Sequence, residues 1–224
     1  MRRPPAFRTA RPASLLAVLA LLGCGRICRS QAAPQQTGPG STLNTSGQLA
    51  RAGHSVPYLI RRLPVSSFPD LPPAVQAELS RRGCLIPQTY EAHEPENVVH
   101  GSFERPGSSD WAVLCSAGGT VSLLVFFGSR LDRHSGRNTD QEPFVLASAP
   151  ETERLQPHPP ASALGFNWAI DSASPQQVHD AQAGLEPRPP AIDHDALADS
   201  TIDNRTVYHF YARDAWTLLD MPEQ

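Results

Sequence analysis

The stretch at residues 110–127, DWAVLCSAGGTVSLLVFF, constrains the fold of this chain more than any other segment. Two apolar runs rich in Val, Leu, Phe and Trp flank Gly118 and Gly119, and such residues favour pleated, buried strands. Adjacent glycines can adopt the positive φ angles of a tight hairpin turn. Alternation places Trp111, Val113 and Cys115 on one face of the first strand and Ala112, Leu114 and Ser116 on the other. Both faces are largely apolar, which predicts a central β-hairpin covered on both sides.

Shorter patterns predict the remaining elements. Val75 and Leu79 recur at helical spacing, with prolines before them and Gly83 after them, which predicts a helix over residues 72–82. Ser174 is placed to cap a second helix over residues 175–183. Apolar runs predict strands at residues 84–86, 97–103, 144–148, 164–170, 206–211 and 215–219, with a loop and one helical turn at 192–202. The fold class is therefore α+β, a single antiparallel-rich sheet of about six or seven strands with two or three short helices.

The N-terminal segment, residues 1–30, has the composition of a signal peptide. It holds six arginines and no acidic residue, followed by an apolar run at residues 13–24. That run is shorter than the roughly 18 residues of a spanning helix, which favours a cleaved secretory signal. The sequence LLGC at residues 21–24 resembles a bacterial lipobox, which would make Cys24 a lipid-anchored N-terminus. Ordinary signal peptidase cleavage near Ala32 is the alternative, and an organellar transit peptide is a third interpretation.

Residues 31–57 are rich in Gln, Gly, Ser, Thr and Pro and carry few apolar side chains. Such a segment buries too little surface to offset its ordering entropy. We therefore expect a disordered linker at residues 31–57 and a single domain at residues 58–224.

The charged residues indicate which partners the chain can bind and what kind of genome encodes it. All 19 basic residues are arginine, which is typical of a GC-rich bacterial genome. Without residues 1–30, the remaining 13 arginines face 22 acidic residues, a formal charge of −9. An acidic domain without a basic patch argues against nucleic-acid binding and against docking on anionic lipid. Membrane association is then expected only through an anchor at Cys24.

Two cysteines, Cys84 and Cys115, remain once the export segment is removed. An even pair in an oxidising compartment predicts a disulfide. It would close a loop of about 30 residues and stabilise the fold by about 3–4 kcal/mol. A redox-active or metal-binding pair is the alternative, but the two residues lack CxxC spacing.

The sharpest possible site is Asp193-His194-Asp195, in which two carboxylates and an imidazole could bind a divalent metal, with Asp199 or Asp203 nearby. The competing interpretation is structural hydrogen bonding, because adjacent side chains on a strand point to opposite faces. The sequence contains no HExxH, GxSxG, GxGxxG or phosphate-loop motif. No catalytic residue and no cofactor other than that possible metal is predicted.

Five aromatic residues allow two interpretations. Trp111, Phe126, Phe127, Trp168 and Trp216 could line a binding cleft, but their strand spacing favours the core. The polar segment at residues 129–142 is expected to be an exposed loop that could bind a partner.

Gly101, Phe103, Gly107 and Asp110, followed by an apolar pair, resemble the FG-GAP motif of integrin-type propellers. The resemblance implies a strand-turn-strand geometry. It does not extend to the calcium site, because Arg105 and Pro106 interrupt the loop where acidic ligands would stand. It does not extend to the propeller either, because only one copy occurs.

A broader pattern, GCLIPQ at residues 83–88, NVVHGSF at 97–103, DWAVLCS at 110–116 and IDHD at 192–195, resembles a family of exported bacterial proteins of unknown function. The resemblance implies export to the periplasm, envelope or medium and a shared fold, but no activity. We therefore expect an exported, non-enzymatic structural or binding domain. The alternative is a metal-dependent hydrolase centred on Asp193, His194 and Asp195.

Overall fold

The computed structural model of the protein describes residues 43–131, 142–158, 163–202 and 206–222. Its strands are β1 (Leu43–Arg51), β2 (His54–Pro64), β3 (Leu85–Gln88), β4 (Val98–Gly101), β5 (Asp110–Ala117), β6 (Thr120–Phe126), β7 (Phe144–Pro150), β8 (Leu155–Pro157), β9 (Leu164–Phe166), β10 (Ala169–Ala173), β11 (Ala196–Ser200), β12 (Val207–Ala212) and β13 (Ala215–Leu218). The α-helices are α1 (Pro73–Arg81), α2 (Gly128–Leu131) and α3 (Pro175–Ala181), and short 3-10 helices span Val65–Ser67 and Glu151–Arg154.

Two sheets pack face to face between two helices. A nine-stranded sheet has the order β7-β6-β5-β3-β2-β9-β8, with β1 beside β2 and β4 beside β5, and a four-stranded sheet has the order β10-β11-β12-β13. The main core lies between the sheets and includes Leu114, Val125, Trp168 and Leu197. Helix α1 covers the outer face of the larger sheet, and α3 covers that of the smaller sheet. The α+β class is confirmed, but the prediction of a single sheet of six or seven strands is wrong.

The predicted central hairpin is confirmed as β5 and β6. Gly118 and Gly119 have φ angles of 60° and 82°, as a two-residue turn of the primed type requires. The two faces of β5 divide as the sequence predicts. Val113 and Cys115 pack under α1, and Ala112 and Leu114 pack between the two sheets. The hairpin thus contributes to two cores, which explains why both of its faces are apolar.

The disulfide between Cys84 and Cys115 is confirmed. It joins residues 31 positions apart whose Cα atoms lie 5.0 Å from each other. Cys84 lies just beyond α1, which ends at Arg81, and Cys115 lies in the second half of β5. The bond therefore fixes the end of α1 to the sheet that the helix covers.

Both longer helices are confirmed within a residue or two. Gly83, just after α1, has a φ of +70°, which suits a helix C-terminus. Ser174 caps α3, because its hydroxyl accepts from the amide of Gln177 while the Gln177 side chain accepts from the Ser174 amide. The predicted C-terminal hairpin is also present as β12 and β13, with Arg213 and Asp214 at positive φ in its turn.

Residues 43–57 differ from the prediction of a linker. They form β1 and the first part of β2, which pair antiparallel around a turn at Ala52 and Gly53. Most side chains of β1 are exposed, so the strand is held mainly by backbone hydrogen bonds to β2. Because few of its side chains are buried, its composition resembles that of a linker. Leu49 and Val56 are exceptions, because they pack against the main core. The predicted signal peptide, with Cys24, and residues 31–42 lie outside the described residues.

Two further predictions are wrong in the C-terminal half. The apolar run at 164–170 forms two strands in different sheets, β9 and β10, because the chain crosses between the sheets at Asn167 and Trp168. Residues 192–202 contain β11, where we expected a loop with a helical turn. Ala196 and Leu197 are fully buried in that strand. Aspartates flank these two residues, so the composition of the segment did not predict a buried strand.

Candidate functional site

Asp193, His194 and Asp195 serve different parts of the structure. The His194 ring is buried, with Nδ1 2.6 Å from Asp193 Oδ1 and Nε2 2.9 Å from the carbonyl oxygen of Tyr211. A carbonyl oxygen only accepts hydrogen bonds, so Nε2 carries the proton. Asp195 turns elsewhere, and its Oδ2 accepts from the Ser102 amide at 3.0 Å. The structure pairs Asp193 with His194 but separates Asp195 from both.

The nearby carboxylate considered from the sequence, Asp199, belongs to a different cluster. Its Oδ1 accepts from Trp168 Nε1 at 2.6 Å, and its Oδ2 lies 3.2 Å from His209 Nε2. Asp203 lies outside the described residues. Within the described part of the chain, no group of three or more His, Cys, Asp or Glu side chains is arranged to hold a metal ion.

The FG-GAP-like segment forms a tight turn held by Asp110. The Asp110 side chain is fully buried, and its Oδ2 accepts from the Glu104 amide at 2.7 Å and the Ser108 hydroxyl at 2.5 Å. Its Oδ1 accepts from the Gly128 amide at 2.8 Å. Gly107 lies in the turn with a φ of +73°. Asp110 therefore organises the entry to β5 and the start of α2 through the chain's own donors.

A buried ion pair, which the sequence patterns did not predict, joins Arg62 to Glu151. Arg62 also donates to Thr45 Oγ1 at 2.6 Å, and the Ser116 hydroxyl donates to Glu151 Oε1. Burial by itself raises the pKa of Glu151, but hydrogen bonds from Arg62 and Ser116 and the charge of Arg62 outweigh it and hold that pKa below its usual range. Ser116 is thus a partner of a structural carboxylate, and the cluster ties β1, β2 and β5 to the 3-10 helix after β7.

The five aromatic residues considered from the sequence divide between the core and its margin. Phe126, Phe127 and Trp168 are at most 2% exposed, which confirms the core interpretation for them. Trp111 and Trp216 are half-buried. Trp111 lies under His100, with ring centroids 4.8 Å apart.

Trp216 belongs to an aromatic cluster between the edge strands of the two sheets. The cluster comprises Phe127, Phe144, Tyr211 and Trp216, whose ring centroids lie 4.7–6.4 Å apart. The guanidinium of Arg130 lies 4.4 Å from the centre of the Phe144 ring, within the range of cation–π attraction. Phe144 and Arg130 are half-buried, so one side of the cluster reaches solvent.

Two buried polar atoms next to this cluster lack partners in the described part of the chain. Glu104 accepts from the Ser129 hydroxyl through Oε1 at 2.8 Å, but its Oε2 is unpaired, as is the Trp216 indole Nε1. Burial raises the pKa of the neighbouring Tyr211, and the charge of Asp214 adds to the shift. The cluster combines aromatic rings with a cation and reaches solvent at Phe144 and Arg130, so it is the best candidate for a binding surface.

The sequence patterns did not single out Glu104, Arg130, Phe144 or Tyr211, because they lie on four separate segments brought together only by the fold. The segment 129–142 begins at this cluster, but residues 132–141 lie outside the described residues.

Comparison with protein-family models, with curated proteins and with solved structures finds no significant match. The resemblance to exported bacterial proteins stays a prediction. The chain's function must therefore be inferred from its own residues.

Proposed function

We propose that this chain is an exported bacterial protein whose sandwich domain has a structural or binding role without catalysis. The observation that carries export is the disulfide between Cys84 and Cys115. Both residues are 4% exposed and belong to the core under α1. A disulfide built into a core is compatible with an oxidising compartment outside the cytoplasm.

The N-terminal composition supports the same route. Residues 1–30 combine arginines, an apolar run and no acidic residue. In the described part of the chain, no helix is both long and apolar enough to cross a membrane. From the N-terminal composition and the disulfide we infer that the mature domain reaches the periplasm, the cell envelope or the medium, either free or anchored through Cys24.

The state of the polar side chains supports a role without catalysis. The carboxylates of Asp110, Glu151 and Asp195 accept hydrogen bonds from the chain itself, and both ring nitrogens of His194 are engaged. These groups hold loops and strands in place. The metal-dependent hydrolase at Asp193, His194 and Asp195 is the alternative, and a chelator distinguishes the two roles.

The binding role is assigned to the aromatic cluster with Arg130 and Glu104. Arg130 and Phe144 are half-buried, so a partner would contact the cluster on that side. The half-buried Phe144 ring would contribute apolar area to the same contact.

The experiment that tests the proposal is expression of the full chain in a bacterium, followed by fractionation and mass analysis of the mature N-terminus. Export predicts a processed protein outside the cytoplasm, with a terminus near Ala33 or a diacylated Cys24. An unprocessed chain that remains in the cytoplasm with reduced cysteines would contradict the proposal. A cytoplasmic variant lacking residues 1–30 is the matched control for the redox state.

A further inference from the structure

A serine and a histidine lie in direct contact where β4 leads into the turn before β5. His100 Nε2 is 2.9 Å from the Ser109 hydroxyl oxygen, and both side chains are exposed. That distance falls within the roughly 2.6–3.2 Å over which a general base takes a proton from a nucleophile. Because the pair faces solvent, a small electrophile can reach the hydroxyl.

The fold holds both members of this pair in place. His100 is paired with Trp111 across β4 and β5, and its ring lies 4.8 Å from the Trp111 ring, which restricts its rotation. Ser109 immediately precedes the fully buried Asp110, whose carboxylate organises the turn. The Ser109 carbonyl oxygen packs so closely on Gly128 that a Cβ there would collide with it. Strand register and a packed turn therefore preorganise the two side chains.

The partner of its hydroxyl distinguishes Ser109 from a second exposed serine, Ser55. The Ser55 hydroxyl donates to the amide oxygen of Gln48 at 3.0 Å. An amide oxygen is too weak a base to take the hydroxyl proton, whereas imidazole is the most common general base in proteins. Ser55 therefore provides an internal reference for the reactivity of an exposed, hydrogen-bonded serine without a base.

We propose that Ser109 is a modification site that accepts an acyl group from an activated ester, with His100 as its general base. In the neutral ring, Nδ1 carries the proton and Nε2 accepts from the hydroxyl. As Oγ attacks the ester carbonyl carbon, Nε2 takes the hydroxyl proton. The bond from that carbon to the leaving oxygen then breaks, and Nε2 passes the proton to the leaving alcohol. The acyl group stays on the chain as a serine ester, so the reaction adds a covalent site to the proposed binding role.

The test treats the mature chain with p-nitrophenyl acetate and follows the acetylation of each serine over time by peptide mass analysis. The chain contains no lysine, so only its N-terminus competes as an amine. We expect Ser109 to gain an acetyl group about 100-fold faster than Ser55, because general base catalysis contributes roughly 10²–10⁴-fold. Fragmentation of the peptide distinguishes Ser109 from its neighbour Ser108.

His100→Gln isolates the contribution of the base. Glutamine can keep a hydrogen bond to the hydroxyl but takes no proton, so acetylation of Ser109 should slow by about 100-fold while that of Ser55 stays the same. The matched control is His54→Gln, which alters an exposed histidine beside Ser55 and should change neither rate. Both variants should melt like the wild type, because both histidines are exposed.

Three outcomes overturn the proposal. The first is equal acetylation rates at Ser109 and Ser55 in the wild-type protein. The second is a fast Ser109 reaction that persists in His100→Gln. The third is an acetyl group recovered on Ser108 and not on Ser109.

Discussion

Arg62 and Glu151 form a two-point ion pair inside the protein, with Nε 2.8 Å from Oε1 and Nη2 2.6 Å from Oε2. Each residue is 7% exposed. The two residues are 89 positions apart, and the pair links the end of β2 to the 3-10 helix that follows β7. A charge buried at this depth destabilises the fold unless an opposite charge pairs with it, because the protein interior solvates ions poorly.

Glu151→Gln removes the negative charge while keeping the shape of the side chain. We expect the free energy of unfolding to fall by about 3–5 kcal/mol, because Arg62 is left buried without a counter-ion. Urea denaturation measures the change. Asp180→Asn is the matched control. It alters an exposed carboxylate 3.8 Å from Arg188 and should cost about 1 kcal/mol or less. Equal losses in the two variants would contradict a structural role for the buried pair.

The same carboxylate predicts how stability depends on pH. The folded pKa of Glu151 lies below its unfolded value of about 4.3, so its contribution is complete above that value and is lost as the pH falls through the folded pKa. The difference in unfolding free energy between the wild type and Glu151→Gln should therefore be constant near neutral pH and shrink below pH about 4. Urea denaturation at a series of pH values measures it. A difference that grows in acid would show that the sign is wrong.

Replacing both Cys84 and Cys115 with alanine removes the link between the end of α1 and β5. The chain-entropy model predicts a loss of about 3–4 kcal/mol of unfolding free energy for a loop of this length. Denaturation of the double variant measures the loss, and reduced wild-type protein, which keeps the side-chain volume, is the control. Peptide mapping without reduction should recover the two cysteine peptides joined. Separate peptides with free thiols would refute the bond.

The sequence predicts those elements of the fold whose formation is determined by residues close together in the chain. The hairpin at 110–127, the helix before Gly83 and the turn at Arg213 follow from spacing and from glycine or Asn/Asp-type turn chemistry within a few residues. Strand β1 escapes prediction because its stability comes from backbone pairing with β2. Strand β11 escapes because Asp residues flank its buried Ala196 and Leu197.

The candidate site was harder to predict, for the same physical reason. The local sequence Asp193-His194-Asp195 suggested three convergent ligands, but Asp195 bonds to Ser102, 93 positions away. The aromatic cluster with Glu104 and Arg130 assembles from four segments, so no spacing rule identifies it. Partners at such separations are set by the packing of the two sheets and not by local pattern.

Chelation distinguishes the structural interpretation of His194 from the metal site. Because both nitrogens of His194 are engaged by Asp193 and Tyr211, we expect an excess of EDTA to leave the melting temperature unchanged. Differential scanning fluorimetry measures the shift, and elemental analysis of the purified protein measures bound metal. A lower melting temperature that a divalent metal restores, and that Asp193→Asn abolishes, would favour the hydrolase alternative.

Asn97 provides the sharpest test of how the two sheets are joined. It is buried with a φ of 69°, its Nδ2 donates to the Pro87 carbonyl at 2.7 Å, and its Oδ1 accepts from the Ile170 amide at 3.1 Å. Asn97→Ala leaves these groups unpaired, so we expect a loss of about 2–4 kcal/mol in unfolding free energy.

Asn97→Gly separates the two parts of that loss. Glycine tolerates the positive φ but has no side-chain amide. The Asn97→Gly variant should therefore lose the same hydrogen bonds as Asn97→Ala but be less destabilised by up to about 1 kcal/mol. Urea denaturation of the two variants gives both quantities. Hydrogen exchange should show faster exchange at the Ile170 amide in both, because its acceptor is gone. If the glycine variant matched the wild type, the backbone conformation alone would matter, and the side-chain bridge between the sheets would contribute nothing to stability.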